Sequence, residues 1–171
     1  MAIDVFLSEE KIRTRVSELA RDINRDYAGK EILVVGVLNG AFIFVADLIR
    51  QLDLPITFDF IAASSYDGTE STGKLNILLD LKTDIKGKHV LLVEDIIDTG
   101  LTIKTLLAEF QRRGPASLKF CSLLFKPARN LHKVPIDYLA FEIEDKFVIG
   151  YGLDFNGRYR ELPYIGVYSA D

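Results

Sequence analysis

Two stretches of this chain, residues 32–38 (ILVVGVL) and residues 89–97 (HVLLVEDII), are dense in apolar, mostly branched side chains, and each is followed by a segment with helical spacing. Runs of that length, rich in Val and Ile, suit strands buried on both faces. After the first, Asn39 and Gly40 break the pattern and Phe42, Val45, Ala46 and Ile49 recur at three- and four-residue intervals. After the second, Ile103, Leu106, Leu107 and Phe110 do the same, with Gly114 and Pro115 as a stop. Repeated strand-helix units imply an α/β fold, with a central, mostly parallel sheet flanked by helices.

The remaining chain fits around that frame. Ser8 can cap a helix whose first turn carries Glu9 and Glu10 and whose apolar face is Ile12, Val16, Leu19 and Ile23, ending before Gly29. Residues 56–64 (ITFDFIAAS) and 75–80 (LNILLD) read as strands around residues 64–74 (SSYDGTESTGK), a polar, glycine-containing stretch expected to be an exposed mobile loop. Further strands are expected at 117–125, 136–143 and 147–153, after which the glycine-rich, aromatic tail shows no period. No repeat or linker divides the chain, so residues 1–171 are expected to form one domain.

Bulk properties exclude several functions. A 49% hydrophobic and 27% charged composition is that of a folded globule. A formal charge of -4, with no run of Lys and Arg, lacks the footprint of a protein that neutralises nucleic-acid phosphates, so no nucleic-acid partner is expected. The single cysteine, Cys121, permits neither an internal disulfide nor a multi-cysteine metal site, and its apolar surroundings read as inert core. His89 and His132 lie away from the acidic cluster in sequence. The N-terminus lacks the pattern of a secretion signal and no uncharged run approaches membrane-spanning length. No membrane association is expected, and the cytoplasm is the expected location.

Chemistry concentrates where the second apolar run ends. Glu94, Asp95 and Asp98 fall at a strand's carboxyl end, where open α/β sheets bind ligands. Neighbouring Glu94 and Asp95 would point to opposite sides of an extended backbone and so grip a ligand from both. Carboxylates gathered at an apolar sheet end call for a cation or a hydroxyl-rich ligand to offset repulsion and desolvation. Magnesium suits such a place, because it commonly joins one or two carboxylates to substrate phosphates. Thr99, Gly100 and Thr102 add hydroxyls and a flexible turn before a helix N-terminus, where a phosphate can sit. A bare D-T-G would fit equally well with Asp98, Thr99 or Thr102 acting only as helix caps.

The pattern VLLVEDIIDTGLT resembles the signature of type I phosphoribosyltransferases. Together with VLNGA (37–41), SSYDGTESTG (64–73), SLLFK (122–126) and FEIEDKFVIGYGLDFNGRYR (141–160), nearly the whole chain resembles the hypoxanthine-guanine members. The resemblance implies the type I phosphoribosyltransferase fold with a small hood formed by the N- and C-terminal segments. It implies a purine-salvage enzyme moving the 5-phosphoribosyl group of 5-phosphoribosyl 1-diphosphate (PRPP) to a 6-oxopurine base, with Mg2+ as cofactor and a homodimer or homotetramer as assembly.

Carried over position by position, Glu94 and Asp95 would hold the ribose hydroxyls and magnesium, while Asp98, Thr99, Gly100, Leu101 and Thr102 would cradle the 5′-phosphate. Asp98, the catalytic group, would also face N7 of the base. Lys126 would donate to O6, Phe147 would stack on the ring and Val148 would meet the purine edge through its backbone. Asp154 would sit at the purine site and meet a second magnesium. Pyrophosphate would lie against Arg160 and the turn Leu38, Asn39 and Gly40, which in this family often contains a non-proline cis peptide. Ser65 and Tyr66 would belong to the lid.

Two positions depart from the family pattern. Asn39 replaces a frequent lysine, and Leu101 a frequently polar or basic residue. By residue type alone, Lys126 also fits a lysine whose stem lies along apolar surface, and Phe147 fits plain core. A lysine ammonium donates and cannot accept, which favours a 6-oxo over a 6-amino base. A PRPP-binding regulator of nucleic acid and a phosphoacceptor signalling domain are the readings from other classes. The acidic charge disfavours the first, and the acids' position halfway along the chain the second.

Overall fold

A computed structural model describes residues 2–65 and 74–169. Its main sheet has six strands in the order β4-β3-β2-β5-β6-β7. They are β2 (Ile32–Val37), β3 (Ile56–Ser65), β4 (Leu75–Leu79), β5 (His89–Ile97), β6 (Ser117–Phe125) and β7 (Tyr138–Glu142). All neighbours run parallel except the edge pair β3 and β4. The expected mostly parallel sheet is thus present, with β2 and β5 at its centre.

Alternation along those central strands explains why their sequences are apolar throughout. Val34, Leu91 and Val93 face a core shared with helices α1 (Glu9–Asp26) and α2 (Phe42–Ile49). Leu33, Val35, Val90 and Leu92 face the opposite core, shared with α3 (Leu101–Arg112). Each such side chain removed from water stabilises the fold by roughly 1.5–3 kcal/mol, so a polar residue on either face would be costly.

Helix α1 matches its expected face. Ile12, Val16, Leu19 and Ile23 are buried, and Ser8 caps the helix by accepting from Lys11 N at 3.2 Å. Helix α2 does not match. Its buried residues are Phe44, Val45 and Leu48, with Ala41 just before it, while Phe42 and Ala46 are exposed. The helix is turned by about one residue from the expected face because FIFVADLI is apolar almost all round, so periodicity could not select a side.

A second, three-stranded sheet, β1-β9-β8, pairs Ala2–Leu7 with Ile165–Ser169 and then Val148–Ile149, all antiparallel. This is the expected hood of N- and C-terminal segments. Neither β1 nor β9 was legible as a strand, since they pair with each other across more than 150 residues, and the run expected at 147–153 forms only the two-residue β8 before turning. Tyr66 and the rest of the expected lid, 66–73, lie outside the described residues; Ser65 ends β3, paired with Leu75.

Candidate active site

The acidic pair sits on the last turn of pleat in β5. Glu94 is buried and Asp95 half-buried. An extended backbone suggested that they splay to grip from two sides; here each also engages the backbone amide that follows it. The Glu94 carboxylate folds back to accept from Asp95 N at 2.9 Å, and Asp95 in turn accepts from Ile96 N at 2.7 Å. Burial first, and then the charge of Asp95, push the Glu94 carboxyl well above the usual carboxylate range.

Asp95 reaches the turn after β2. A β carbon on Gly40 would stand 1.7 Å from Asp95 Oδ2, so only glycine allows the approach. The Leu38–Asn39 peptide in this turn is cis. Leu38 N already donates to Ile61 O at 2.8 Å, so the amides this turn can offer an anion are those of Asn39 and Gly40, which narrows the role expected of Leu38. Gly152, at φ +98°, packs on the other side of the turn, where a β carbon would lie 2.2 Å from Gly40 O. The same loop carries Arg160, whose Nη1 donates to Gly152 O at 2.6 Å and whose Nη2 lies 3.2 Å from Asp154 Oδ1. Asp154 Oδ2 accepts from Gly157 N. Residues 38–40, Asp95, Asp154 and Arg160, scattered in sequence, thus meet in one neighbourhood.

Beyond β5 the turn leads to α3, and here the capping alternative fails for Asp98. The N-cap of α3 is Gly100, at φ +87°, which has no side chain to offer its amides. Thr99 Oγ1 receives only a long contact from Leu101 N, 3.4 Å. Asp98 is left for other work. A cavity of about 180 Å³ opens at this helix end, lined among others by Glu94, Asp98, Thr99, Gly100 and Thr102. A larger one, about 610 Å³, lies away from these groups, between α1, α2 and Glu161, Leu162 and Pro163; convergence of polar groups, not volume, singles out the smaller.

Lys126, directly after β6, is buried, and its amide donates to Ile97 O at 3.0 Å, tying the ends of β5 and β6 together. Its ammonium is not idle along apolar surface: Nζ lies 3.7 Å from Asp145 Oδ1. Phe147 is half exposed, so the core reading fails for it as well. Its ring meets Phe155 and Tyr168 edge-on at 5.7 and 6.1 Å, while Phe155 stacks on Tyr168 at 4.5 Å. Val148 pairs with Val167 in the hood sheet.

Several residues of this neighbourhood were not singled out from sequence. Phe155 and Tyr168 buttress Phe147 only because the hood sheet brings them there. Arg129 lies 2.7 Å from Asp98 Oδ1 through Nε, and 3.8 Å from Asp145 Oδ1 through Nη1. One sequence signal could have found it: Pro127 starts a helical turn, which sets Arg129 on the same side as Lys126 three residues earlier. His132, distant from the acids in sequence, donates its amide to Thr99 O, and its carbonyl packs on Gly100.

Among the described residues no three Asp, Glu, His or Cys side chains come together to hold a metal. Glu94, Asp95 and Asp154 are therefore no ready-made cage.

The chain matches the model of the phosphoribosyl transferase domain over residues 3–156. It is 48% identical to the hypoxanthine-guanine-xanthine phosphoribosyltransferase of Tritrichomonas foetus over 164 residues, 95% of this chain and 90% of that protein. It is 46% identical to the hypoxanthine phosphoribosyltransferase of Haemophilus influenzae over 168 residues, 96% and 94% of the two chains. Among solved structures, a hypoxanthine-guanine phosphoribosyltransferase from Bacillus anthracis, holding a HEPES molecule in its active site, superposes with a TM-score of 0.93 at 47% identity, covering 97% of this chain and 98% of that one.

Proposed function

Because the chain belongs to the phosphoribosyltransferase family, in its hypoxanthine-guanine branch, we propose that the strand-end site divides the chemistry between a sugar-phosphate half on β5 and α3 and a base half under the hood. The enzyme serves purine salvage: it transfers the 5-phosphoribosyl group of PRPP to hypoxanthine and/or guanine, giving the nucleoside monophosphate and pyrophosphate. The relatives' names differ in the bases they include, so the range of 6-oxopurines is a matter for assay.

The observation that carries the assignment of roles is that Asp98 caps nothing and faces the cavity that Glu94 also lines. In this reading Glu94 and Asp95 hold the ribose hydroxyls, and residues 98–102 hold the 5′-phosphate with hydroxyls and the amides of a helix N-terminus. Asp98 accepts the N7 proton of the base, leaving the N9 lone pair to attack the anomeric carbon. Lys126 donates to O6, Phe147 covers the ring and Val148 offers backbone to the purine edge. Asp154, already tied to Arg160, orders the loop at that edge, and Arg160 with the amides of Asn39 and Gly40 takes the departing pyrophosphate.

Magnesium fits the residues present. Asp95 packs directly on Gly40 of the pyrophosphate turn, where a carboxylate would repel the leaving group, and the all-oxygen donors Glu94 and Asp95 suit a hard cation. When bound, the ion would neutralise charge on PRPP and on pyrophosphate. Asp154 would be a second contact after releasing Arg160.

We read the chain as one domain acting in the cytoplasm as a homodimer or homotetramer, without nucleic-acid or membrane partners. No described helix is long and apolar enough to cross a membrane, and the exposed Phe58, Leu78 and Leu79 on β3 and β4 suit a subunit contact. The deciding assay measures pyrophosphate release from PRPP and magnesium with hypoxanthine, guanine, xanthine, adenine and uracil separately. Release with a 6-oxopurine is expected; none with any purine would overturn the reading.

A further inference from the structure

Four side chains of alternating charge run from one end of the base half to the other. Lys126 Nζ stands 3.7 Å from Asp145 Oδ1, Arg129 Nη1 stands 3.8 Å from the same oxygen, and Arg129 Nε stands 2.7 Å from Asp98 Oδ1. The ends of this string are the two groups assigned to the base, the O6 donor and the N7–H acceptor. Its interior, Arg129 and Asp145, has no role in the assignment.

The geometry points to Arg129 as a positioning residue that fixes which oxygen of Asp98 meets N7–H and at what spacing from Lys126. This inference rests on the assignment of Asp98 and Lys126 given above. Asp98 Oδ1 is buried and accepts no aligned hydrogen bond, although the side chain as a whole is 45% exposed. With Oδ1 buried, Oδ2 is the oxygen left to a ligand in the cavity that Asp98 lines. Without the guanidinium against Oδ1, the carboxylate could turn about its side-chain bonds and present either oxygen, or neither, to the base.

The backbone supports this role. Residues 126–132 are laced to both ends of the β5–α3 turn: Lys126 N donates to Ile97 O at 3.0 Å, and Leu131 N and His132 N donate to Thr99 O at 3.1 and 2.9 Å. Arg129 sits between these anchors in the one-turn helix Pro127–Arg129. It thus approaches Asp98 from a frame fixed to the same turn. The pair is about half exposed on both sides, 49% for Arg129 and 45% for Asp98. Ion pairs in that setting contribute little to folding, so its value lies in orientation, and its removal should leave the fold intact.

The test compares two unreactive base analogues as inhibitors, in the presence of PRPP and magnesium. 9-Deazahypoxanthine keeps N7–H, whereas 7-deazahypoxanthine has carbon at position 7; both keep the 6-oxo group. In the parent enzyme the first should bind about tenfold or more tighter, as expected for a hydrogen bond to a charged acceptor. Arg129→Ala should shrink that ratio to about threefold or less, and Arg129→Lys, which keeps the charge but not the planar fork, should recover part of it. Asp145→Asn, one link further away, should lower the ratio less.

A purely structural role would weaken both analogues together and leave the ratio at its parental value, and that result overturns the inference while Asp98 keeps its assignment. A parental ratio near one overturns the Asp98 assignment itself, and the inference with it. If the alanine variant does not fold, the same ratio read on Arg129→Lys and Arg129→Gln decides: a parental value in both overturns the inference, and a reduced value that is lower in the glutamine variant supports it.

Discussion

The halves of the site proposed for the sugar phosphate and for the base are built on opposite electrostatic plans. On the first, like charges are adjacent: Glu94 is buried against Asp95, and its carboxyl is pushed upward by desolvation and by its neighbour. On the second, charges alternate from Lys126 through Asp145 and Arg129 to Asp98. One half awaits counter-charge from its ligands, whereas the other already carries its own. The difference suits the ligands proposed for them, because PRPP would bring hydroxyls and magnesium, while a neutral purine would bring only hydrogen-bonding edges and a ring face.

The largest effect should come where the halves share a residue. Asp98→Asn should lower turnover by about 10²- to 10⁴-fold, far more than the loss in base binding of about tenfold expected when the N7–H acceptor loses its charge, as read by pyrophosphate release and calorimetric titration. Full activity in that variant would remove Asp98 from the chemistry.

Next comes the seam. At Gly152 a β carbon would meet the Gly40 carbonyl, which is backbone and cannot swing aside, and the residue's φ is +98°. Gly152→Ala should destabilise the protein by about 2–3 kcal/mol, which lowers Tm by about 4–12 °C at this size. It should also raise KM for both substrates, because the seam joins the 38–40 turn, assigned to pyrophosphate, to the loop that carries Asp154, assigned to the base edge, through Arg160. A change confined to one substrate would mean the halves are mechanically independent.

Phe147→Ala isolates the base half. With the ring half exposed, little stability is at stake, and a stacking loss should raise KM for the base by about tenfold at unchanged KM for PRPP. Equal changes in both would contradict the division of labour.

Glu94→Gln isolates the electrostatics of the other half and is the smallest effect on the list. In the parent, the folded-state pKa of Glu94 lies above its ordinary value of 4.5, so the unfolded chain loses this proton first. Stability then falls as pH rises from about 4.5 through the raised folded value. The glutamine variant lacks that fall. Its Tm should match the parent below pH 4.5 and exceed it by a few degrees at pH 8, measured by calorimetry across pH. A gap that does not vary with pH would mean the carboxyl is not carrying the strain assigned to it.

How legible each half was in the sequence follows from how each is built. Glu94 to Thr102 is one contiguous stretch, and its position at the end of an apolar strand already pointed to the site now proposed for the sugar phosphate. The base half is assembled from β6, the turn after it and the hood, so chemistry alone could not link Lys126 with Phe147; only a resemblance did. Arg129 and Asp145 went unnoticed because charged loop residues carry no periodic signal. For α2 the failure was of a different kind, since a helix apolar on nearly all sides does not encode its own rotation.

By itself the sequence determined the parallel core, because strands buried on both faces must be apolar throughout and that need is written residue by residue in β2 and β5. It also determined where the acids fall, at a carboxyl end of that core. Only the tertiary structure decided that Glu94 turns back on Asp95, that Asp98 caps nothing, and that Gly40 and Gly152 close against each other. Those outcomes depend on contacts between segments far apart in the chain, and only the folded chain brings those atoms within reach.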